Sequence, residues 1–308
     1  MHALIHIGIP KSGTSTIQAF LAANRAALGA QGVVHAPFNP RFGSQFEFAV
    51  TALQATGATI RPPLERRRLG FRTQEDQARY VTAYHEFLGR TLRATSGARL
   101  FLGSSEHIYA WLTTPETIAA LDHHLHEHFE SVRYLVYLRA QDELITSTYS
   151  EAIRRGATHD FKTHMARHRR INHWRKIRMW SQVVTRGRLQ VRLMQRDALI
   201  EGDLLHDFCT QAGVSVDGLQ RPAPHNTALS VEEIALRRNL NRVLPVQGRD
   251  GGPSRLYQTA LQLATRAFLR GHSKLRLPDD MREIIRAANA DGNEKIRLRF
   301  FKDRAQLF

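Results

Sequence analysis

The stretch from Ile5 to Thr16, Ile-His-Ile-Gly-Ile-Pro-Lys-Ser-Gly-Thr-Ser-Thr, constrains the fold more than any other part of the chain. An alternating apolar run stops at a Gly, Pro, Lys, Ser, Gly cluster and passes directly into Thr-Ser-Thr and a helical pattern. The pattern predicts a strand, a tight loop and a helix start. Such a junction gathers unpaired backbone N–H groups and the positive end of a helix dipole at one point, which makes it a seat for phosphate or sulfate. Gly8 and Gly13 stand at the two glycine positions of the nucleotide-binding pattern G-x-x-x-x-G-K-[ST]. Thr14, however, occupies the place of its lysine, and Lys11 lies inside the loop. An ordinary NTPase loop holds its lysine against the β/γ-phosphates and its Ser/Thr on magnesium. The displaced lysine therefore predicts a different anionic nucleotide, bound without metal.

At 308 residues, with 42% hydrophobic and 23% charged residues, the chain has the composition of a globular protein with a sizeable core. Its one cysteine, Cys209, excludes an intramolecular disulfide framework and a cysteine-based metal cluster. No run approaches the roughly 18 to 20 apolar residues of a membrane-spanning helix, and the first strand begins too early to leave room for a signal peptide. A cytoplasmic location is expected. Lys+Arg 44 against Asp+Glu 28 gives a net charge of +16, a field that favours polyanions such as nucleic acid, acidic polysaccharide or an anionic lipid surface.

Along the chain, helical spacing predicts a helix over residues 14–30, stopped by Gly29 and Gly32. Residues 35–73, broken by prolines and rich in arginine, read as an irregular insertion with a short helix near 46–55, suited to acceptor contacts. A helix over 73–95 follows, then a short buried parallel strand at Leu100-Phe101-Leu102 with a polar end, Ser104-Ser105-Glu106-His107. The helix expected at 115–130 carries His124 and His128 four residues apart. The pattern fixes no third ligand for them, so they read as surface histidines and no metal is expected. Val132 to Leu138 is the clearest strand; it ends at Arg139, and the helix after it carries Ser147, so both side chains can reach one phosphate. Residues 160–182 read as a basic helix over an apolar seam of Ile171, Trp174 and Ile177. A strand at 189–194 and helices at 203–212, 230–243, 255–270 and 278–290 complete the chain, with a loop at Gly248 to Pro253. Apolar strands alternating with helices predict an α/β fold: a P-loop-type three-layer arrangement with a central, mainly parallel sheet flanked by helices.

The Pro-Lys-Ser-Gly-Thr loop resembles the 5′-phosphosulfate loop of sulfotransferases that use 3′-phosphoadenosine 5′-phosphosulfate (PAPS), and the order of motifs extends the resemblance. After the loop come the Ser-Ser-Glu strand end, Arg139 with Ser147 eight residues on, a Leu-Gln-Val-Arg strand, Asn226-Thr-x-Leu-Ser230 and Asn293-Glu294. The order is similar to that of the bacterial, carbohydrate-sulfotransferase-like members. One departure is Asn172-His173, where bacterial members often carry Asp-Tyr.

The resemblance implies one sulfotransferase-like domain over 1–308, with the insertion at 35–73 and a helical C-terminal part at 228–308. It implies PAPS as co-substrate, the bisphosphate PAP as product, and a hydroxyl acceptor, a glycan above all. Pro10, Lys11, Ser12, Gly13, Thr14, Ser15 and Thr16 are expected to hold the phosphosulfate through the backbone N–H groups of 12–16 and the four hydroxyls. Lys11 is expected to neutralise charge on the leaving group, and Arg139 with Ser147 to hold the 3′-phosphate. Glu106 is the first expectation for the base, as in related carbohydrate enzymes, and His107 the second, as in cytosolic small-molecule sulfotransferases. Only one of two adjacent strand residues easily faces a crevice. Two other functions are weighed against this: a small-molecule kinase, which the absent Gly-Lys-[Ser/Thr] disfavours, and a non-catalytic nucleic-acid binder, which leaves the loop unexplained. No nucleic-acid partner is expected. Peripheral membrane contact stays compatible with the charge, and the sequence is silent on oligomeric state.

Overall fold

The structure, a computed structural model, describes residues 1–223, 229–248, 252–268, 271 and 273–308. In chain order the elements are β1 (His2–Ile7), α1 (Thr14–Ala23), α2 (Arg25–Ala30), β2 (Val33–Val34), α3 (Glu47–Ala55), α4 (Pro63–Leu69) and α5 (Gln74–Ala94). Then come β3 (Leu100–Ser105), α6 (Glu106–Trp111), α7 (Pro115–His126), β4 (Ser131–Leu138), α8 (Gln141–Arg154) and α9 (Phe161–His168). The chain continues with α10 (His173–Val183), β5 (Leu189–Leu193), α11 (Leu204–Ala212), α12 (Val231–Val243), α13 (Arg255–Phe268) and α14 (Asp279–Phe300). No helix among the described residues is long and apolar enough to cross a membrane.

The chain packs as two compact units, residues 1–139 with 173–225 and residues 140–172 with 226–308. The first unit holds a five-stranded, all-parallel sheet in the order β2-β3-β1-β4-β5. Strand alternation sends successive side chains to opposite faces. One face presents Leu4, Leu100, Leu102, Leu135 and Tyr137 to Ile17, Phe20 and Leu21 of α1, Leu28 of α2, and Leu205 and Phe208 of α11. On the other face Phe101 meets Phe48 of α3, and Tyr134 meets Trp180 of α10 while its hydroxyl donates to Asp122 of α7 at 2.9 Å. Helices thus cover both sides, and the fold is the expected three-layer α/β arrangement. Gly103 is required by this packing, because a Cβ there would lie 2.8 Å from the Phe48 ring.

The insertion at 35–73 is more ordered than its prolines suggest. Helix α3 is buried from Glu47 to Leu53, and α4 follows a proline start. Gln45 is tied to β3, its N–H donating to the Ser104 carbonyl and its Oε1 accepting from the Ser104 N–H, both at 3.0 Å. The basic stretch at 160–182 is two helices rather than one. Ile177 and Trp180 of α10 are buried, and Arg167, Arg169, Arg170, Arg175 and Arg178 are exposed.

The second unit packs α8 against α9, α12 and α14 through Ile145, Met165, Leu277 and Ile285, and through Tyr149, Ile153, Leu229 and Ile234. Helix α14 runs on to Phe300, well past the expected end near 290, so Asn293 and Glu294 lie inside it. The expected His225-Asn226-Thr227 motif lies outside the described residues, as do residues 249–251 of the Gly248 to Pro253 loop and the end of the 255–270 helix.

Candidate active site

In a parallel sheet all strands point the same way, so the segments leaving β1, β3 and β4, three adjacent strands, emerge at one edge. Ligands of open α/β sheets bind beyond this edge, where the strand order reverses. The loop at 8–13, the Glu106-His107 pair and Arg139 are the segments that leave there.

The loop closes on itself through short polar contacts. Gly8 N–H donates to the Ser105 carbonyl at 3.0 Å, Ser12 N–H to Ile9 O at 3.1 Å, and Thr14 Oγ1 to Ile9 O at 3.0 Å. A side chain at Gly8 has no room, since its Cβ would sit 2.4 Å from Thr14 Cγ2 and 3.0 Å from the Glu106 backbone nitrogen. Gly13 takes φ 78° at the start of α1, and Lys11 takes φ 65°. A left-handed residue other than glycine is disfavoured by about 1–2 kcal/mol and is found where surrounding contacts impose it.

Helix α1 has no side-chain cap and no acidic residue in its first turn. Ser12 and Thr16 spend their N–H groups on Ile9 and Gly13 carbonyls, which leaves those of Gly13, Thr14 and Ser15 without a backbone partner among the described residues. The set of donors is therefore narrower than the expected 12–16, and the Thr14 hydroxyl, committed to Ile9 O, is not among them. Ser12 is fully buried, and its Oγ has no hydrogen-bond partner among the described residues. Pro10 and Ser15 are exposed; Lys11 and Thr16 are half-buried.

Arg139 reaches the loop from the end of β4, its Nη1 donating to the Lys11 carbonyl at 2.8 Å. The backbone of Arg139 is held in turn by His173, whose Nε2 donates to its carbonyl at 2.9 Å. Burial lowers the His173 pKa to about 4, so the ring is neutral at pH 7. Ser147 is half-buried on α8, in the second unit.

Glu106 and His107 do not end a strand, as the sequence suggests. They open α6, with Ser105 as the cap: its Oγ accepts from the His107 N–H at 3.2 Å. Strand alternation therefore does not force a choice between them. Glu106 Oε2 accepts from Gln18 Nε2 at 2.8 Å, which fixes the carboxylate against α1. His107 Nδ1 is 2.8 Å from Ser44 Oγ, which is 3.0 Å from Ser105 Oγ, and the ring packs against Trp111 with centroids 4.3 Å apart. Burial pulls the His107 pKa below its ordinary value, against the smaller upward pull of Glu106.

Gln18 and Ser44 are the site residues that sequence reasoning misses. Gln18 was visible as a polar residue on the apolar stripe of α1, whereas Ser44 carries no signal of its own. Lys176 differs from the exposed arginines around it. Its ammonium is half-buried, donating to the Tyr109 carbonyl at 2.7 Å and lying 5.0 Å from the Tyr109 ring, and burial lowers its pKa to about 8.

No family model matches the chain, and no curated protein matches it. Among solved structures, the chain is similar to a sulfotransferase from Alicyclobacillus acidocaldarius, at 15% identity and a TM-score of 0.41, covering 72% of this chain and 85% of that one. It is also similar to the sulfotransferase domain from the curacin biosynthetic pathway, at 12% identity and a TM-score of 0.43, covering 94% of this chain and 96% of that one.

Proposed function

We propose that this chain is a PAPS-dependent sulfotransferase acting on a hydroxyl acceptor, with a carbohydrate as the acceptor class. The observation that carries the reading is the loop: a lysine held at positive φ, strapped through its carbonyl by Arg139, beside a helix start whose first amides have no backbone partner among the described residues. Two features fit a bound phosphosulfate. The buried Ser12 hydroxyl has no hydrogen-bond partner among the described residues, and Gly8 and Gly13 let the loop pack tightly against Thr14 and Leu204, which holds its backbone amides in place.

In this proposal the amides of Gly13, Thr14 and Ser15, with the Ser12, Ser15 and Thr16 hydroxyls, hold the phosphosulfate. Arg139 holds the 3′-phosphate, for which a guanidinium offers paired donors, and Ser147 keeps the role that the sequence resemblance implies for it. When bound, PAPS supplies the sulfuryl group and a phosphate leaving group. Sulfuryl transfer resembles phosphoryl transfer, in which positioning and charge stabilisation carry most of the catalysis. Lys11 neutralises charge on the oxygen that links sulfate to the leaving 5′-phosphate. Glu106 takes the proton of the acceptor hydroxyl as the acceptor oxygen bonds to sulfur, and Gln18 keeps the carboxylate aimed. His107, tied to Ser44, orders the acceptor side. The net charge of +16 and the exposed arginines of α4 and of residues 167–178 suit an acidic glycan.

A thermal-shift comparison of PAP, ATP with magnesium, and an oligonucleotide tests the donor. Stabilisation by PAP alone, through mass action on the native state, is the expected outcome. Stabilisation by ATP with magnesium would point to the kinase, and salt-sensitive stabilisation by the oligonucleotide to nucleic-acid binding.

A further inference from the structure

The end of α7 and the turn after it carry His124-Leu125-His126-Glu127-His128. Spacing alone pairs His124 with His128 and leaves them one ligand short. The fold changes both halves of that reading. His124 is 4% exposed rather than a surface residue. Helix α7 stops at His126, and the turn beyond it, closed by Glu127 N–H to His123 O and His128 N–H to Leu125 O, folds Glu127 and His128 back. Donor atoms of His124, Glu127 and His128 all come within 4.8 Å of one another. His124 Nδ1 is 3.5 Å from Glu127 Oε2, a carboxylate whose other oxygen is 3.5 Å from His123 Nε2. The His128 ring stands edge-on to His124 with centroids 4.9 Å apart, and His85 of α5 stacks on the other side at 4.5 Å.

A second observation points to a ligand. His124 Nε2 and His85 Nε2 are both buried and have no hydrogen-bond partner among the described residues. Buried polar nitrogens are nearly always satisfied, so two orphans on touching rings call for an explanation. A metal ion supplies one for His124, because imidazole nitrogens and a carboxylate are the donors that zinc and its neighbours prefer. Tetrahedral ligands on bonds of about 2.0–2.1 Å lie ~3.3 Å apart. The half-buried His128 and the exposed Glu127 can close that gap by side-chain rotation.

We propose that His124, Glu127 and His128 form a site for a divalent transition-metal ion, zinc being the best match, with water completing its coordination. The site is structural. His128 lies three residues before β4, whose first residue Ser131 pairs in register with His2 at the start of β1, so the cluster sits at the edge of the sheet opposite the loop. An ion there fastens the turn beyond α7 to the last turn of that helix. The other histidine group, His159, His164 and His168, differs. His159 Nε2 and His164 Nδ1 are hydrogen-bonded to each other at 3.1 Å, and His164 Nε2 lies 3.1 Å from Thr148 Oγ1, so its nitrogens are already engaged.

The test uses the full chain stripped with a chelator and titrated with Zn2+ by calorimetry, with Co2+ as an absorbing probe. The expected result is one ion per chain, a raised melting temperature and the intense visible absorption of four-coordinate cobalt. Glu127→Gln and His128→Gln change residues that are not core, so folding is retained, as circular dichroism would verify. Each should weaken zinc at least about tenfold, while His168→Gln should leave it unchanged. Absence of stoichiometric binding, unchanged affinity in both Glu127→Gln and His128→Gln, or loss of binding in His168→Gln would overturn the site. None of these readouts depends on sulfuryl transfer, so the site stands or falls separately from the proposed activity.

Discussion

Gly8 shows how much of the site is decided by single atoms. A methyl group there meets Thr14 and the Glu106 backbone at once, so Gly8→Ala must displace either the loop or the start of α6. Overpacking of this kind costs about 1–3 kcal/mol, and a urea-unfolding midpoint lowered by that amount, with weakened PAP binding, is the expected result. Lys11 works differently: its side chain is proposed to act on charge that grows during the reaction. Lys11→Ala should therefore keep the wild-type melting temperature and lower turnover by about 10²–10³. An equal fall in stability would instead assign Lys11 to holding the loop. Gln18→Leu should lower kcat with little change in KM for the donor, because Gln18 touches Glu106 and not the loop amides. A donor KM that rises instead would place Gln18 in donor binding.

Elements differ in how openly the sequence announces them. The strands β3 and β4 are short apolar runs with polar ends, and their neighbours carry helical spacing, so the three-layer fold was legible. The start of α6 was not, because Ser105-Glu106-His107 also reads as the polar end of a strand. The signal that settles it is a serine in the N-cap position, accepting from the amide two residues on. Helix α14 runs past the expected end near 290 and carries Gly292 in its interior. A mid-helix glycine costs only about 1 kcal/mol, and Asn289, bonded to the Arg169 carbonyl and the Ile171 N–H, holds the helix in place. Ser44 was illegible for another reason: its partner His107 lies 63 residues away, and ties of Ser44 and Gln45 to the end of β3 bring them together. Helix α5 offers a direct check on local encoding. Thr73 and Asp76 form a reciprocal capping box at its start, and Asp76 also accepts from the Arg72 N–H. Thr73→Ala should cost about 1 kcal/mol of stability, read as a lowered denaturation midpoint with activity intact; no change would mean that packing alone sets this helix end.

At the scale of the molecule, buried titratable groups make the sheet-bearing unit sensitive to acid. Burial holds His6 to about 3 and His35 and His173 to about 4, so the folded chain keeps them neutral while the unfolded chain protonates near 6.5. Their contribution is present above pH 6.5 and is lost as pH falls toward 3 to 4. Glu47 acts in the opposite sense. Burial raises it to about 7, so its contribution is present below about 4.5 and is lost as pH rises through 7. Three histidines against one carboxylate predict a melting temperature that rises from pH 4.5 to 6.5, and Glu47→Gln should steepen the rise. A melting temperature that falls over this range would mean that the histidines are not held neutral. The central claim concerns the anion seat and the second phosphate that Arg139 is proposed to hold, and calorimetric titration of the wild-type chain with PAP and with AMP tests it most directly. The account predicts that PAP, which carries the added 3′-phosphate, binds at least about tenfold more tightly. Equal affinity for the two, or binding of neither, would contradict it.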